Sequence, residues 1–189
     1  MKTAIQMFSS FGYDGVSIRA LEVQAGVQRG AVAYHFDGKE ELWKSMVDEI
    51  MDRFGAHIDP LSTTIQDLDK KAGNRALMAA LIRFSAETPE FNRLMMSEGG
   101  RDTWRMSYIV DHVTKGRFSW VSEYSGMFRD AHDYYIMIGA ATFVFGVEHE
   151  CRRIFDVDPT TDTFIREHAS RVSDLWELAT EARRTTERS

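Results

Sequence analysis

The sequence predicts an all-α protein, on three observations. Stretches rich in Ala, Leu, Met, Glu and Arg, all good helix formers, run through most of its 189 residues. The three prolines, Pro60, Pro89 and Pro159, each fall where a helical pattern stops. No segment sustains the alternation of a half-buried strand. The expected architecture is an N-terminal helix-turn-helix head of three short helices, joined by a long helix to a larger helical body. The boundary is expected near residues 55–60, giving a head over 1–54 and a body over 55–189.

The first helix is expected over residues 2–11, where Ala4, Phe8 and Phe11 recur at helical spacing and Gly12 closes it. Ser17 suits the N-cap of a second short helix, burying Ile18, Leu21 and Ala25 and ending at Gly26. A third begins near Gln28 and runs to Phe36. Asp37-Gly38-Lys39 reads as a turn, and a long fourth helix then carries Leu42, Met46, Ile50 and Phe54 on one side. Past Pro60 the helices lengthen: one over 70–87, a short one after Pro89, and one over 101–124. Residues 133–155, "DYYIMIGAATFVFGVEHECRRIF", are apolar nearly all round in their middle, so they must be covered on several sides. A last amphipathic helix over 161–184 carries Phe164, Ile165, Ala169, Val172, Leu175, Trp176 and Ala179.

A composition 43% hydrophobic and 28% charged is that of an ordinary globular chain. No apolar run reaches the roughly 18 residues that span a membrane. The N-terminus lacks the apolar stretch and cleavage site of a secretory signal. Cys151 stands alone, which excludes an intrachain disulfide framework and suits a reducing compartment. A soluble, cytoplasmic protein with no membrane partner is expected.

The net charge of −6 argues against a generic polyanion binder, but the charge is unevenly spread. Residues 1–39 hold Lys2, Arg19, Arg29 and Lys39 against Asp14, Glu22 and Asp37, a net of +1. Nucleic-acid contact is therefore expected at the N-terminal end, with modest charge. There, two short helices joined by "AGVQ" make a helix-turn-helix, with Gly26 permitting the sharp turn. On a helical wheel Val32 and Phe36 share an inward side, while Gly30, Ala31, Ala33 and Tyr34 fan over the opposite one. A helix that enters a major groove about 12 Å wide gains from small residues on that face. Gln28 and Arg29 suit base edges, and Ala31 and Ala33 suit the thymine methyl. Tyr34, His35 and Lys39 would flank the groove and bond phosphates, and Ser17 at the start of the second helix would meet another. The same bare run also fits a tightly packed helix crossing that reads nothing.

The stretch "FSSFGYDGVSIRALEVQAGVQRGAVAYHFDGKEEL", Phe8 to Leu42, resembles the DNA-binding head of the TetR/AcrR family of transcriptional regulators. The resemblance rests on Phe8, Gly12, Tyr13, Ser17, Ile18, Ala25, Gly26, Val27, Gly30, Val32, Tyr34, His35, Phe36, Lys39, Glu40, Glu41 and Leu42. Three positions depart from the pattern. Gln28 replaces the usual Ser or Thr, which removes the customary cap of the third helix. Ala33 stands where Tyr or Thr is common, and Gly38 replaces a Ser or Asn cap. Family members also carry further, often basic, residues before the first helix. Either the chain is truncated at this end, or the head binds DNA with less phosphate charge.

The resemblance implies a homodimer on a palindromic double-stranded DNA operator, dimerising through its last two helices. Gly139 and Gly146, seven residues apart, are expected to form a smooth strip on the apolar helix, completed by Phe143, Phe145, Leu175, Trp176 and Leu178. The family's body encloses an effector cavity. Phe84, Phe91, Met95, Met96, Trp104, Tyr108 and Trp120 suit such a lining, with Arg105, His112 and Glu98 to orient a small hydrophobic or aromatic molecule. Most of these side chains also suit a plain core.

No enzyme, cofactor or metal site is expected. "EHEC", 148–151, sets four candidate ligands on consecutive helical positions that point apart, and no His-Glu-x-x-His or Cys-x-x-Cys occurs. A phosphate loop and a Gly-x-Ser-x-Gly elbow are likewise missing from the sequence. The expected function is a ligand-responsive transcriptional regulator, a repressor released by its effector. The alternative is a small-ligand-binding helical protein with a vestigial head, motivated by the acidic balance of the head and the short N-terminus.

Overall fold

The computed structural model describes residues 1–114 and 117–186. The head comprises α1 (Lys2–Phe11), α2 (Ile18–Ala25), α3 (Ala31–His35) and the start of α4 (Gly38–Ile58). The body follows with α5 (Leu61–Thr64), a 3-10 turn at Ile65–Asp67, α6 (Lys70–Glu87) and α7 (Pro89–Glu98). After these come α8 (Trp104–Thr114), α9 (Arg117–Ser125), α10 (Ala131–Gly146), α11 (Glu148–Phe155) and α12 (Asp162–Thr186). Among the described residues there is no strand.

Local chemistry explains the helix ends. Ser17 Oγ accepts from the Ala20 N–H at 3.1 Å and caps α2, while Gly26, at φ 67°, closes it in the left-handed conformation. Asp69 and Asp130 cap α6 and α10 in the same way, each accepting from the backbone N–H three residues on at 2.9 Å. Pro89 opens α7, where its missing N–H removes no helical bond.

Two apolar clusters hold the helices. One runs from Phe8, Leu21 and Val32 in the head, along Trp43, Met46, Ile50 and Phe54 of α4, to Phe84, Leu94 and Ile109 in the body. The other joins Met78 and Ile82 of α6 to Met137, Ala141 and Phe145 of α10 and to Ile165, Ala169 and Val172 of α12. Helix α6 is thus a shared wall, with Leu77 in the first cluster and Met78 in the second. Burying a side chain the size of Phe8 or Phe145 contributes about 1.5–3 kcal/mol, so both clusters matter to stability. Helix α4 passes unbroken across residues 54 and 55, so the head's core continues into the body's.

Ion pairs reinforce the α6–α12 contact. Arg75 pairs with Asp174 and, at 2.7 Å, with Glu177, which Lys71 also reaches at 2.9 Å. Arg75 and Lys71 together hold the Glu177 carboxyl down at about 2. Glu177 is only half-buried and Lys71 is open to water, so this is a pairing preference rather than a large stability term.

The elements differ from expectation in five places. Helix α3 starts at Ala31 rather than near Gln28, because Gly30 takes φ 91° and turns the chain there. Phe11 and Ala25, expected inside, are exposed, and Ile5 and Glu22 are buried in α1 and α2 instead. The expected helix over 101–124 opens only at Trp104 and is described as α8 and α9, with residues 115–116 outside the described ones. The segment 133–155 breaks at Val147, where apolar α10 gives way to α11. Glu148 and Glu150 occupy the first turn of α11, the end at which acidic side chains favour a helix start. Residues 61–67, unassigned from sequence, hold α5 and the 3-10 turn.

Candidate nucleic-acid interface

Helix α3 has five residues, too few to be stable alone, so its neighbours must hold it. Val32 is buried and Phe36 half-buried, so the inward side is the one read from the helical wheel. Gln28, Arg29, Gly30, Ala33, Tyr34 and His35 are exposed, and Tyr34 keeps 85% of its surface open. Ala31 is half-buried. Gln28, Arg29 and Gly30 lie in the turn before the helix, not on its first turn. An alanine Cβ at Gly30 would meet no atom within 4 Å, so φ 91° explains the glycine and crowding within the chain does not.

A residue missed from sequence holds this turn. Glu22 of α2 is 4% exposed, and its Oε1 accepts from the Gly30 N–H at 2.9 Å and the Val32 N–H at 3.1 Å. Gly30, at the cap position, has no side chain, and no side-chain cap bond is made from it. The acceptor that Gln28 does not provide therefore comes from the preceding helix. One signal was available: Glu22 sits beside Leu21 and four residues after Ile18, an acid on the buried face of α2.

Lys39 is half-buried, its Nζ 4.2 Å from the centre of the Tyr13 ring, a cation–π distance. Tyr13 stacks on Phe8 and meets Trp43 and Trp104 edge-on. The guanidinium of Arg105, on α8, lies 4.8 Å from the same ring. Burial, then the nearby Glu40 carboxylate, raises the Tyr13 phenol above its ordinary value. Arg105 Nε donates to both oxygens of Glu98 at 2.9 Å, and both side chains are buried. The Arg105 guanidinium also lies 3.7 Å from Asp14 in the head. Losing either partner of such a buried pair strands a charge, which costs about 3–5 kcal/mol.

Most of the residues expected around one effector site lie in or against the first cluster, where each has a packing partner. Trp104, Tyr108 and His112 recur every four residues on α8, and the first two face α4. Trp104 packs edge-on against Trp43, the Tyr108 hydroxyl donates to Asp48 at 2.8 Å, and His112 stacks on Tyr108. Burial, and then the bond to Asp48, pushes the Tyr108 phenol up. Glu98 and Arg105 are committed to each other. Phe84 packs among Phe54, His57 and Phe91, and Met95 lies against the same core. Met96 is exposed and lies beside Gly146, and Trp120 stacks on Tyr124.

The dimer candidates also divide. Gly139, Phe143, Leu175 and Leu178 are exposed, Leu178 to 65% and Phe143 to 54%, and Tyr135 and Ile136 are open beside them in sequence. Gly146 instead faces Met96 and Asn92 of α7, Trp176 packs against the second cluster, and Phe145 is buried in it. Among the described residues no group of His, Cys, Asp and Glu is placed to hold a metal ion. No described helix is long and apolar enough to cross a membrane.

Residues 1–46 match the family model described as bacterial regulatory proteins, tetR family. The head is thus similar to that of tetR-family regulators. The chain is also similar to the HTH-type transcriptional regulator RutR of Escherichia coli, 26% identical over 98 residues, which are 52% of this chain and 45% of that protein. The HTH-type transcriptional repressor Rv1474c of Mycobacterium tuberculosis is 36% identical over 53 residues, 28% of each chain. The alignments thus span less than half the length of these curated relatives. A putative tetR family transcription regulator from Shewanella shares the fold over 94% of both chains, with a TM-score of 0.65 at 20% identity. A TetR-family regulator from Streptomyces coelicolor, SCO3833, does so over 93% of this chain and 87% of its own, with a TM-score of 0.59 at 18% identity.

Proposed function

We propose that the protein is a ligand-responsive transcriptional repressor that reads a palindromic operator as a homodimer. The observation that carries this reading is the outward face of α3 and its preceding turn. There Arg29, Gly30, Ala33 and Tyr34 are exposed on a head that matches regulators of bacterial transcription. Arg29 is the candidate for a guanine edge, and Ala33 gives the backbone close approach. Ser17 and the free N–H groups at the start of α2 suit a phosphate. Gln28 and Ala33, which depart from the family pattern, are the positions at which this operator would differ from those of relatives.

Release by an effector requires that it bind the free and DNA-bound conformations unequally. The contacts of α8 supply a physical route. Arg105 touches Tyr13 and Asp14 of the head, and Lys39, a candidate phosphate contact, lies against the same Tyr13 ring. A displacement of α8 would therefore reposition a DNA-facing side chain. The grouped rings of Phe54, Phe84 and Phe91 favour an aromatic or hydrophobic effector over a charged one.

The test is a gel shift with the DNA flanking the protein's own gene, in a salt titration. A sequence-specific shift that weakens steeply with salt is expected. Full-length protein that shifts no duplex in preference to random DNA overturns the proposal. A small-molecule screen read by melting temperature would then identify the effector, which should also weaken the shift.

A further inference from the structure

We propose that Glu22 is a positioning residue for DNA reading: its carboxylate fixes the turn and helix that present Arg29 and Ala33, and so sets sequence discrimination. The inference rests on the operator-reading function proposed above.

A five-residue helix has hardly more than one turn of internal hydrogen bonding, so its direction is set by what grips its ends. At the far end, Val32 and Phe36 pack on the head core. At the near end, Gly30 and Val32 both donate to a single oxygen of Glu22, at 2.9 and 3.1 Å. This side chain is almost wholly out of water, so little solvent competes with it for the two N–H groups. Glycine at position 30 leaves the turn otherwise pliable, because its left-handed backbone is held by no side chain of its own.

Glu22 also lies on the helix that Ser17 caps. The candidate phosphate anchor at the start of α2 and the candidate base-reading turn before α3 are therefore tied together by one side chain. Changing that tie alters the angle between anchor and reader. Discrimination between sequences should suffer more than overall attraction to the polyanion, which depends on charge rather than angle.

Three substitutions separate geometry from charge. Glu22→Gln keeps an acceptor oxygen at the same reach and loses the charge. Glu22→Asp keeps the charge and withdraws the oxygen by one carbon. Glu22→Ala loses both. The probe is a duplex selected by the parent protein from a random pool, compared with unselected duplex at the same salt. The ratio of the two affinities should fall about tenfold or more in Glu22→Ala and Glu22→Asp and stay within about threefold of the parent in Glu22→Gln. Amide hydrogen exchange at Gly30 and Val32 should accelerate in the first two and not in the third, while the amides of Phe8 and Trp43 stay protected.

Parent-like discrimination in a folded Glu22→Asp or Glu22→Ala overturns the proposal. So does loss of discrimination in Glu22→Gln, which would make the charge decisive. If Glu22→Ala fails to fold, the Asp and Gln pair still decides. A parent protein that selects no sequence from the pool sinks the DNA-reading function itself, and the amide exchange then reports separately whether the cap exists.

Discussion

The outer surface of α3 and that of α10 and α12 are both open, yet they are made open in opposite ways. On and before α3 the chain strips its side chains down to Gly30, Ala31 and Ala33 and leaves polar Gln28 and Arg29 at the edge. On α10 and α12 it leaves large apolar side chains uncovered, among them Ile136, Phe143, Leu175 and Leu178. A surface cleared of bulk suits a deep, hydrated and charged groove. A surface of exposed aliphatic and aromatic groups suits another apolar surface, and a second copy of this chain supplies an identical one. The contrast suits the two surfaces to different kinds of partner without appeal to net charge.

The comparison breaks most visibly at the apolar end. Phe143→Glu combined with Leu178→Glu should raise the dimer dissociation constant about 100-fold or more, measured by sedimentation equilibrium. A parent protein that is itself monomeric at micromolar concentration would rule out a second copy as the cover of this face. At the DNA end, Arg29→Ala should weaken binding to a selected duplex by about 1–3 kcal/mol and relax preference at one base position. Lys39→Ala should instead weaken all sequences alike and flatten the salt dependence, and equal behaviour of the two variants would misplace the reading edge. Gly30→Ala sharpens the contrast further. No atom obstructs the added methyl, so its cost is the left-handed backbone alone, about 1–2 kcal/mol of stability. Denaturant unfolding that shows no loss would mean the turn relaxes freely.

The smallest effect concerns pH and separates the second cluster from the first. His168 lies between Phe145 and Phe164, with Nε2 3.3 Å from the Ala141 carbonyl, and burial lowers its pKa. The unfolded chain therefore binds a proton at higher pH than the folded one. Stability attributable to neutral His168 is present above the ordinary value of 6.5 and is lost as pH falls through the lowered folded value. The melting temperature should drop as pH falls from 6.5 towards the lowered folded value, and His168→Gln should make the drop shallower. Identical pH profiles for parent and variant would assign the effect elsewhere.

The head is legible from sequence because its punctuation is strict: Gly12, Ser17 and Gly26 mark turns and caps that the backbone takes up. The start of the third helix is not, since helical spacing cannot reveal that Gly30 turns the chain at φ 91°. For Glu22 the sequence shows only an acid on a buried helix face, because its partners are backbone N–H groups 8 and 10 residues away. The effector candidates are ambiguous for a related reason. Aromatic residues satisfy both a cavity wall and a packed junction, and Trp104 and Tyr108 have gone to the junction with α4. Gly146 shows the same ambiguity in a small residue, where the close neighbour is Met96 of the same chain.

The ring of Tyr13, with Lys39 and Arg105 packed against it, bears on how freely such proteins exchange parts. A graft of the first 46 residues onto a foreign body would bring Tyr13 and Lys39 along but abandon Arg105, Glu98 and Trp104. The transplant would then carry a buried aromatic surface with nothing to cover it and Asp14 without its arginine. In this chain the head is therefore not separable at the end of the sequence motif. A working chimera would need to take α7 and α8 with the head, or redesign the seam.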